Sequence, residues 1–472
     1  MITLRDYQSN AVNEVKNAYM AGFTAPVLVL PTGGGKTIVF AYIAYSSASR
    51  GKKVLILVHR IELLRQTQSK LAAFGIRAGL ISPKYTPDYN APVQVAMIQT
   101  IQKRLDKYPK FDLVITDECH HVSADSYLKV LSYYNCFQLG VTATPIRSDG
   151  KGLGKGHGGI YDKMILGPST RSLMDMGFLV QPDIYLPPCE IDRGSIKRSM
   201  GDFNRKEAAF RVDKRNITGN AVDHYESVSK YDPGVSFCVN VEHAKNVATE
   251  FRDRGYKAYC VDGSMDDRDR SRILNGLADG SVSMVTSCDV ISEGFDIPTI
   301  ACGISLRPTQ SKGLHLQQIG RILRPSEGKE KAVWLDHVGN CAAYVGGQLS
   351  VIHGFPDDDH QWSLEGELKA KREKEEVERI TLCDNCYMAY KPTLSVCPHC
   401  GSARAVKPAR KLEQKDGELI KLEKAAIMER KKNERREVGA AKSLEELESI
   451  ATARGYKPGW VKVQAGLKGI EA

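Results

Sequence analysis

Two apolar patterns alternate along this chain of 472 residues. Short β-branched runs, "PVLVL" (26–30), "KVLILV" (53–58), "DLVIT" (112–116) and "QLGVT" (138–142), have no polar face. Such runs predict strands buried on both sides, as in a parallel sheet covered by helices. Helix-period stretches lie between them, so residues 1–165 predict one doubly wound α/β domain. Over 146–215 the pattern lapses: "RSDGKGLGKGHGG" is rich in Gly and Lys, and "QPDIYLPPCEIDRGS" is broken by proline. That stretch predicts loops, with a connector over 166–215. Alternation resumes with "GVSFCV" (234–239), "KAYCV" (257–261), "SMVTS" (283–287), "ACGISL" (301–306) and "KAVWLD" (331–336). A second α/β domain is therefore expected over 216–350.

The remainder is smaller and more polar. "LEGELKAKREKEEVERI" predicts a charged helix or linker within 351–379, followed by a cysteine-rich segment (380–402) and a basic, helical tail (403–472). In the tail, Ser443 and Glu446 have capping-box spacing, and Gly455 followed by Pro458 is a helix stop.

Composition changes this picture in two places. The net charge is +10, and between Arg404 and Arg436 twelve Lys or Arg stand against six Asp or Glu. A concentrated basic stretch favours a polyanionic partner; a solvated charged helix is the competing reading. No basic-then-apolar leader opens the sequence and no apolar run reaches the ~18 residues of a membrane helix, so a cytoplasmic protein with no membrane partner is expected. Otherwise 42% hydrophobic and 26% charged residues are ordinary for a globular chain.

The candidate chemistry begins at "LPTGGGKT" (30–37), set between a strand and a helix. Gly35, Lys36 and Thr37 fit the end of a P-loop, while Leu30 stands at its first glycine. Glycines let backbone N–H groups face an anion, and the next helix adds its positive end. Lys36 would then neutralise phosphate and Thr37 would hold Mg2+. "LVITDECHH" places Asp117 and Glu118 at the end of another strand, on the same sheet edge. Asp117 suits Mg2+, and Glu118 suits orienting or deprotonating a water. Farther on, "CDNC" and "CPHC" pair Cys383 with Cys386 and Cys397 with Cys400, ten residues apart, which is the spacing of a closed four-thiolate zinc site. The other cysteines read as small core residues of a reducing compartment.

Taken in order, these stretches resemble superfamily 2 DEAD/DEAH-type helicases. "LRDYQ" (4–8) looks like the Q motif, "PTGGGKT" like motif I, "DECH" (117–120) like motif II, "TAT" (142–144) like motif III, "SEGFD" (292–296) like motif V and "QQIGRILR" (317–324) like motif VI. The branch most resembled is the bacterial RadD-like one, with likeness also to restriction motors and XPB-type helicases. The resemblance implies two RecA-like domains, a zinc ribbon downstream, and a bacterial or bacterial-virus source. It implies ATP contacts from Arg5, Gln8, Pro31, Thr32, Gly33, Gly34, Gly35, Lys36, Thr37, Gly294 and Asp296. Catalysis would rest on Lys36, Asp117, Glu118, His120, Gln317, Arg321 and Arg324, the two arginines sharing one helix face and reaching across the cleft. Arg60 and Thr100 would touch nucleic-acid phosphates. The expected function is an ATP-dependent translocase or helicase on DNA in repair, recombination or fork processing. A single-strand-binding or repair protein would be a partner of the C-terminal region. An RNA helicase, and an ATP-dependent clamp that recruits repair proteins, are the alternatives.

Overall fold

The computed structural model describes residues 3–122, 125–147, 150–186, 193, 196–199, 202–212, 215–230, 232–292, 296–345, 348–366, 381–383, 385–390, 394–403, 441, 443–454, 461 and 465. The chain divides into two units, Met1–Arg404 and Ala405–Ala472.

The first lobe of the larger unit runs α1 (Asp6–Met20), β1 (Pro26–Val29), α2 (Lys36–Ala48), β2 (Val54–Val58), α3 (Ile61–Ala73), β3 (Ala78–Ile81), β4 (Val93–Met97), α4 (Ile98–Ile101), β5 (Leu113–Asp117), α5 (Asp125–Tyr134), β6 (Phe137–Thr142) and β7 (Lys163–Leu166). All seven strands are parallel, in the order β3-β4-β2-β5-β6-β1-β7. Every residue of β1, β2 and β5 is buried, as strands flanked by helices on both faces must be. Leu28, Val39, Phe40, Ile56 and Ile115 fill the core on one face; Val27, Leu55, Val114 and Tyr161 fill it on the other.

A short helix, α6 (Thr170–Asp175), leads to the second lobe, and β8 (Gln181–Tyr185) already belongs to that lobe's sheet. The chain continues through β9 (Arg198–Ser199), β10 (Asp202–Phe203), α7 (Arg205–Val212), α8 (Arg215–Val228), β11 (Gly234–Phe237), α9 (Val241–Asp253), β12 (Ala258–Val261), α10 (Asp267–Ala278), β13 (Met284–Ser287), β14 (Cys302–Ser305), α11 (Lys312–Ile319) and β15 (Lys331–Asp336). The second sheet is parallel, ordered β12-β13-β11-β14-β15-β8. The nine strands read from sequence are all present. β7 and β8 fall where loops and a connector were expected. Both are edge strands, and Pro182 is tolerated in β8 because an edge residue can leave its N–H side unpaired.

A hairpin, β16 (Ala342–Val345) with β17 (Gln348–Val351), follows, and then the cysteine module with β18 (Thr381–Leu382) and β19 (Ala389–Tyr390). Its two C-x2-C turns repeat one geometry. The Tyr387 amide donates to the Cys383 carbonyl (2.9 Å) and the Gly401 amide to that of Cys397 (3.0 Å). Tyr387 and Gly401, each just past the second cysteine, both take positive φ (58° and 68°). The module sits on β8: the Leu186 amide donates to the Tyr387 carbonyl (3.2 Å), and Tyr185 bridges Met388.

In the smaller unit, helix Leu444–Arg454 starts as its sequence predicts, with the Glu446 amide donating to Ser443 Oγ at 3.2 Å. Leu447 and Ile450 pack with Ala441 and Ala465. The charged linker from 367 and the basic stretch 404–436 lie outside the described residues. Among the described residues no helix is long and apolar enough to cross a membrane.

Candidate active site between the two lobes

In a parallel sheet the loops that leave the carboxyl ends of neighbouring strands share one edge. Here β5, β6 and β1 are neighbours, so the DECH turn, the TAT turn and the Gly-rich loop converge. Leu30 extends the ladder, its amide donating to the Thr142 carbonyl at 3.0 Å. The loop then turns into α2 through Gly35, whose φ is 81°. The backbone therefore favours glycine there, and a Cβ would also lie 2.4 Å from Gln8 Nε2, displacing that amide. The first residues of α2, Lys36, Thr37 and Ile38, border the cleft, where the N-terminal end of a helix suits an anion.

The first lobe contributes one wall of a cavity of about 250 Å3. Arg5, Thr32, Gly33, Gly35, Lys36, Thr37, Asp117 and Glu118 line it. The second lobe supplies Asp296, Pro298, Arg321, Arg324 and Pro325 to the same cavity. Lys36 Nζ lies 3.9 Å from Glu118 Oε1, with both side chains buried. Burial pushes the Lys36 ammonium below its ordinary value; Glu118 and Asp117 pull it back, and the nearby Arg321 and Arg324 push it down further. The two guanidinium groups are thus within electrostatic reach of Lys36. Arg324 pairs with Asp296 at 2.9 Å, and burial lowers its pKa against that pull. Behind the cavity the lobes touch directly, since a Cβ on Gly320 would meet Thr32 at 2.5 Å.

The arginines are not on a helix face, as their spacing suggests. Helix α11 stops at Ile319; Arg321 lies in the turn beyond it and Arg324 in the irregular segment that follows. Gly320 is the C-cap, and Pro325 keeps the residue before it, Arg324, out of the α region, so no helix resumes there.

Glu118 sits in the left-handed region (φ 48°, ψ 55°), uncommon for a side chain with a Cβ. Asp117 Oδ1 accepts its amide at 3.0 Å. Thr142 Oγ1 donates to Glu118 Oε2 at 3.4 Å, and His120 Nδ1 is 3.0 Å from the same hydroxyl. His120 therefore joins the DECH turn to the TAT turn and is not among the cavity's lining residues.

Beside the start of α1, Gln8 Oε1 accepts from the Arg5 amide at 3.0 Å, and the Arg5 guanidinium lies 4.2 Å above the Phe178 ring. Tyr7 OH donates to the Gly34 carbonyl at 3.0 Å, tying this end to the Gly-rich loop. Sequence reasoning named neither Tyr7 nor Phe178 as a site residue. Tyr7 was inside a recognised motif; Phe178 lies in the supposed connector and has no local signal.

Other expected residues are placed differently. Pro31 lines a second cavity behind the loop, together with Ala143 and Leu316. Gln317 is buried in α11 and is not among the residues lining the cleft. Gly294 lies outside the described residues. Arg60 donates to the Asp289 carbonyl of the second lobe at 3.1 Å, and Thr100 is buried in α4.

The four module cysteines bring their Sγ atoms within 4.8 Å of one another. Cys383–Cys400 and Cys386–Cys397 are separated by 3.4 and 3.6 Å. A tetrahedral site with metal–sulfur bonds of about 2.3 Å spaces its sulfurs by about 3.8 Å, so the donor set fits zinc in kind and spacing.

Known families match both lobes. The type III restriction enzyme res subunit family matches residues 1–147, and the helicase conserved C-terminal domain matches residues 220–326. A 51.5 kDa protein of a Lactococcus phage is 29% identical over 84% of this chain and 82% of its own length. IRC3 of Saccharomyces cerevisiae, which carries the name of an ATP-dependent helicase, is 27% identical over 79% of this chain and 58% of its own. The DNA 3'-5' translocase XPB2 of Sulfurisphaera tokodaii is 24% identical over 69% and 80%. Among solved structures, an HsdR-type restriction subunit fragment from Vibrio vulnificus superposes with a TM-score of 0.57 at 21% identity, covering 72% of this chain and 65% of its own, which is a likeness of fold. These likenesses reach the superfamily and do not single out the RadD-like branch. With two parallel-sheet lobes closing on one nucleotide-type cleft, and a motor or helicase family matched to each lobe, the chain belongs to superfamily 2 of the helicases and is an ATP-hydrolysing enzyme.

Proposed function

We propose that this chain is an ATP-driven translocase or helicase that acts on DNA, in repair, recombination or replication-fork processing. One observation carries the reading: Arg321 and Arg324 of one lobe line the same cavity as Lys36, Asp117 and Glu118 of the other. In phosphoryl transfer, charge develops on the γ-phosphate oxygens, and an arginine brought in from a second body stabilises it. Lys36 and the α2 amides hold the phosphates; Glu118 orients the attacking water and takes its proton; Arg321 and Arg324 complete the charge clamp. Arg5 and Gln8 hold the base, with Phe178 beside them. Mg2+ bound by Thr37 and Asp117 would neutralise charge on the phosphate oxygens. Hydrolysis removes the group that bridges the lobes, so the cleft relaxes and each cycle can become a step along a strand.

The preference for DNA is supported by the name of the XPB2 relative. Arg60, at the lobe boundary, is a phosphate contact that would exchange its bond to the Asp289 carbonyl for the strand. Thr100, being buried, supports that surface from beneath. The four thiolates hold a structural zinc, and the basic tail supplies a further polyanion or repair-protein contact. The buried cysteines of the two lobes, Cys119, Cys238, Cys302 and Cys341, support reading them as small core residues of a reducing, cytoplasmic setting.

The test is the ATPase rate titrated with single-stranded DNA, duplex DNA and RNA of equal length. Stimulation by either DNA form and little by RNA is expected. Stimulation by RNA alone would move the assignment to an RNA helicase, and none by any polynucleotide would remove the motor.

A further inference from the structure

Just past Arg324 the chain makes a tight turn through Pro325–Ser326–Glu327–Gly328. The Lys329 amide donates to the Ser326 carbonyl at 3.1 Å, and Gly328 takes φ 75°. The turn folds the Lys329 side chain back under the arginine. Its Nζ donates to the carbonyls of Arg324 (2.7 Å), Ile300 (2.5 Å) and Pro298 (3.0 Å). An ammonium has three N–H donors and no acceptor, and here three carbonyls meet it.

Those carbonyls belong to two separate segments. One is the backbone of Arg324. The other, 298–300, closely follows Asp296, the carboxylate that pairs with the Arg324 guanidinium. Lys329 thus fastens together the stretches that carry both members of the ion pair at the cavity wall. Pro298 and Arg324 both line the cavity, while Lys329 is not among its lining residues.

We propose that Lys329 is a positioning residue for hydrolysis: its protonated amine clamps the two segments of the second lobe that aim Arg324 at the phosphates held by Lys36. This inference rests on the role given above to Arg324. The clamp suits the charged form only, because a neutral amine would turn a lone pair toward the third carbonyl. Burial and the Arg324 guanidinium push the Lys329 pKa down to about 7, while Asp232 opposes them. These are the charged groups that face it. As pH rises through about 7 the amine loses its third donor, so the clamp is expected to hold on the acid side and loosen on the alkaline side.

The experiment compares steady-state ATPase of the full chain, with saturating polynucleotide, for wild type, Lys329→Met, Lys329→Arg and Arg324→Ala from pH 6 to 9. Wild-type kcat is expected to fall as pH rises through about 7. Lys329→Met, similar in shape but without donors, is expected to lower kcat about 10- to 100-fold at pH 6, the gap to wild type narrowing as pH rises through about 7, with KM for ATP changed by about twofold or less. In Lys329→Arg the guanidinium stays protonated, so the alkaline fall is expected to disappear, with a lower plateau accepted. Wild-type kcat from Lys329→Met, or an unchanged alkaline limb in Lys329→Arg, overturns the inference. If neither variant folds, absence of the wild-type limb overturns it and its presence supports it. Normal turnover by Arg324→Ala would instead defeat the role of Arg324 itself; an inactive Arg324→Ala beside a fully active Lys329→Met would defeat the clamp alone.

Discussion

Glu118 combines an unusual backbone with polar contacts to both its amide and its side chain. Its left-handed φ of 48° is held by the Asp117 carboxylate on its amide, and the Thr142 hydroxyl and His120 ring fix its side chain. A non-glycine residue kept in that region costs about 1–3 kcal/mol, and such costs persist where the surroundings over-determine the conformation. Glu118→Gln keeps shape and loses the proton acceptor. It is expected to lower kcat by about 10²–10⁴ while nucleotide affinity stays near wild type. Single-turnover hydrolysis beside a fluorescent-nucleotide binding titration reads both; hydrolysis at the wild-type rate would remove Glu118 from the base role. Lys36, Asp117 and Glu118 were legible in sequence because their signals are local: a Gly-rich turn before a helix, and an acidic pair ending an apolar strand. Phe178 was not, because its place beside Arg5 depends on how the inter-lobe chain returns over the cleft.

Among the elements, β8 shows best how context overrides pattern. A strand that contains proline and is followed by two more reads as a break, yet β15 gives it a ladder and the cysteine module covers its end. The module itself is too small for an apolar core; Cys383, Cys397 and Tyr390 are the buried members of its cluster. A metal held by the four thiolates would then supply its folding energy. Replacing Cys397 by Ser is expected to abolish a zinc stoichiometry of about one per chain and to raise amide exchange at 181–186 and 383–390, with little change in β1 or β2. Metal analysis and hydrogen exchange test this. Full zinc content in the variant, or equal exchange at Leu186 in both proteins, would count against a metal-dependent dock on β8.

At the scale of the whole molecule, the lobes are joined by ion pairs as well as by the cleft. Arg65 and Lys84 of the first lobe meet Asp267 of the second at 2.9 and 3.0 Å, and Glu62 meets Arg270 at 2.6 Å. Lys84 and Arg65 hold the Asp267 carboxyl down at about 2 from its ordinary 3.8. A carboxylate lowered in the closed arrangement favours closure above about pH 4 and loses that contribution as pH falls toward 2. Across neutral pH the contact is constant, and salt is the lever. With Asp267 one-third exposed, each pair contributes only about 0.2–1 kcal/mol. Asp267→Asn is therefore expected to increase the open fraction about two- to fivefold and to flatten its salt dependence. An inter-lobe fluorescence pair measures both; a salt response identical to wild type would show that these pairs do not bias closure.

The sequence by itself determined the parts whose cause is local. Apolar runs without a polar face between helix-period stretches read as buried parallel strands, the Gly-rich run before α2 read as a turn, and four cysteines at knuckle spacing read as one cluster. Only the tertiary structure decided what joins distant segments: that Arg321 and Arg324 share a cavity with Lys36, that Arg60 ends on the Asp289 carbonyl of the other lobe, and that Lys329 ties Arg324 to the 298–300 segment. These depend on distances between segments tens to hundreds of residues apart. Packing of the two sheets sets such distances, and no periodicity along the chain encodes them.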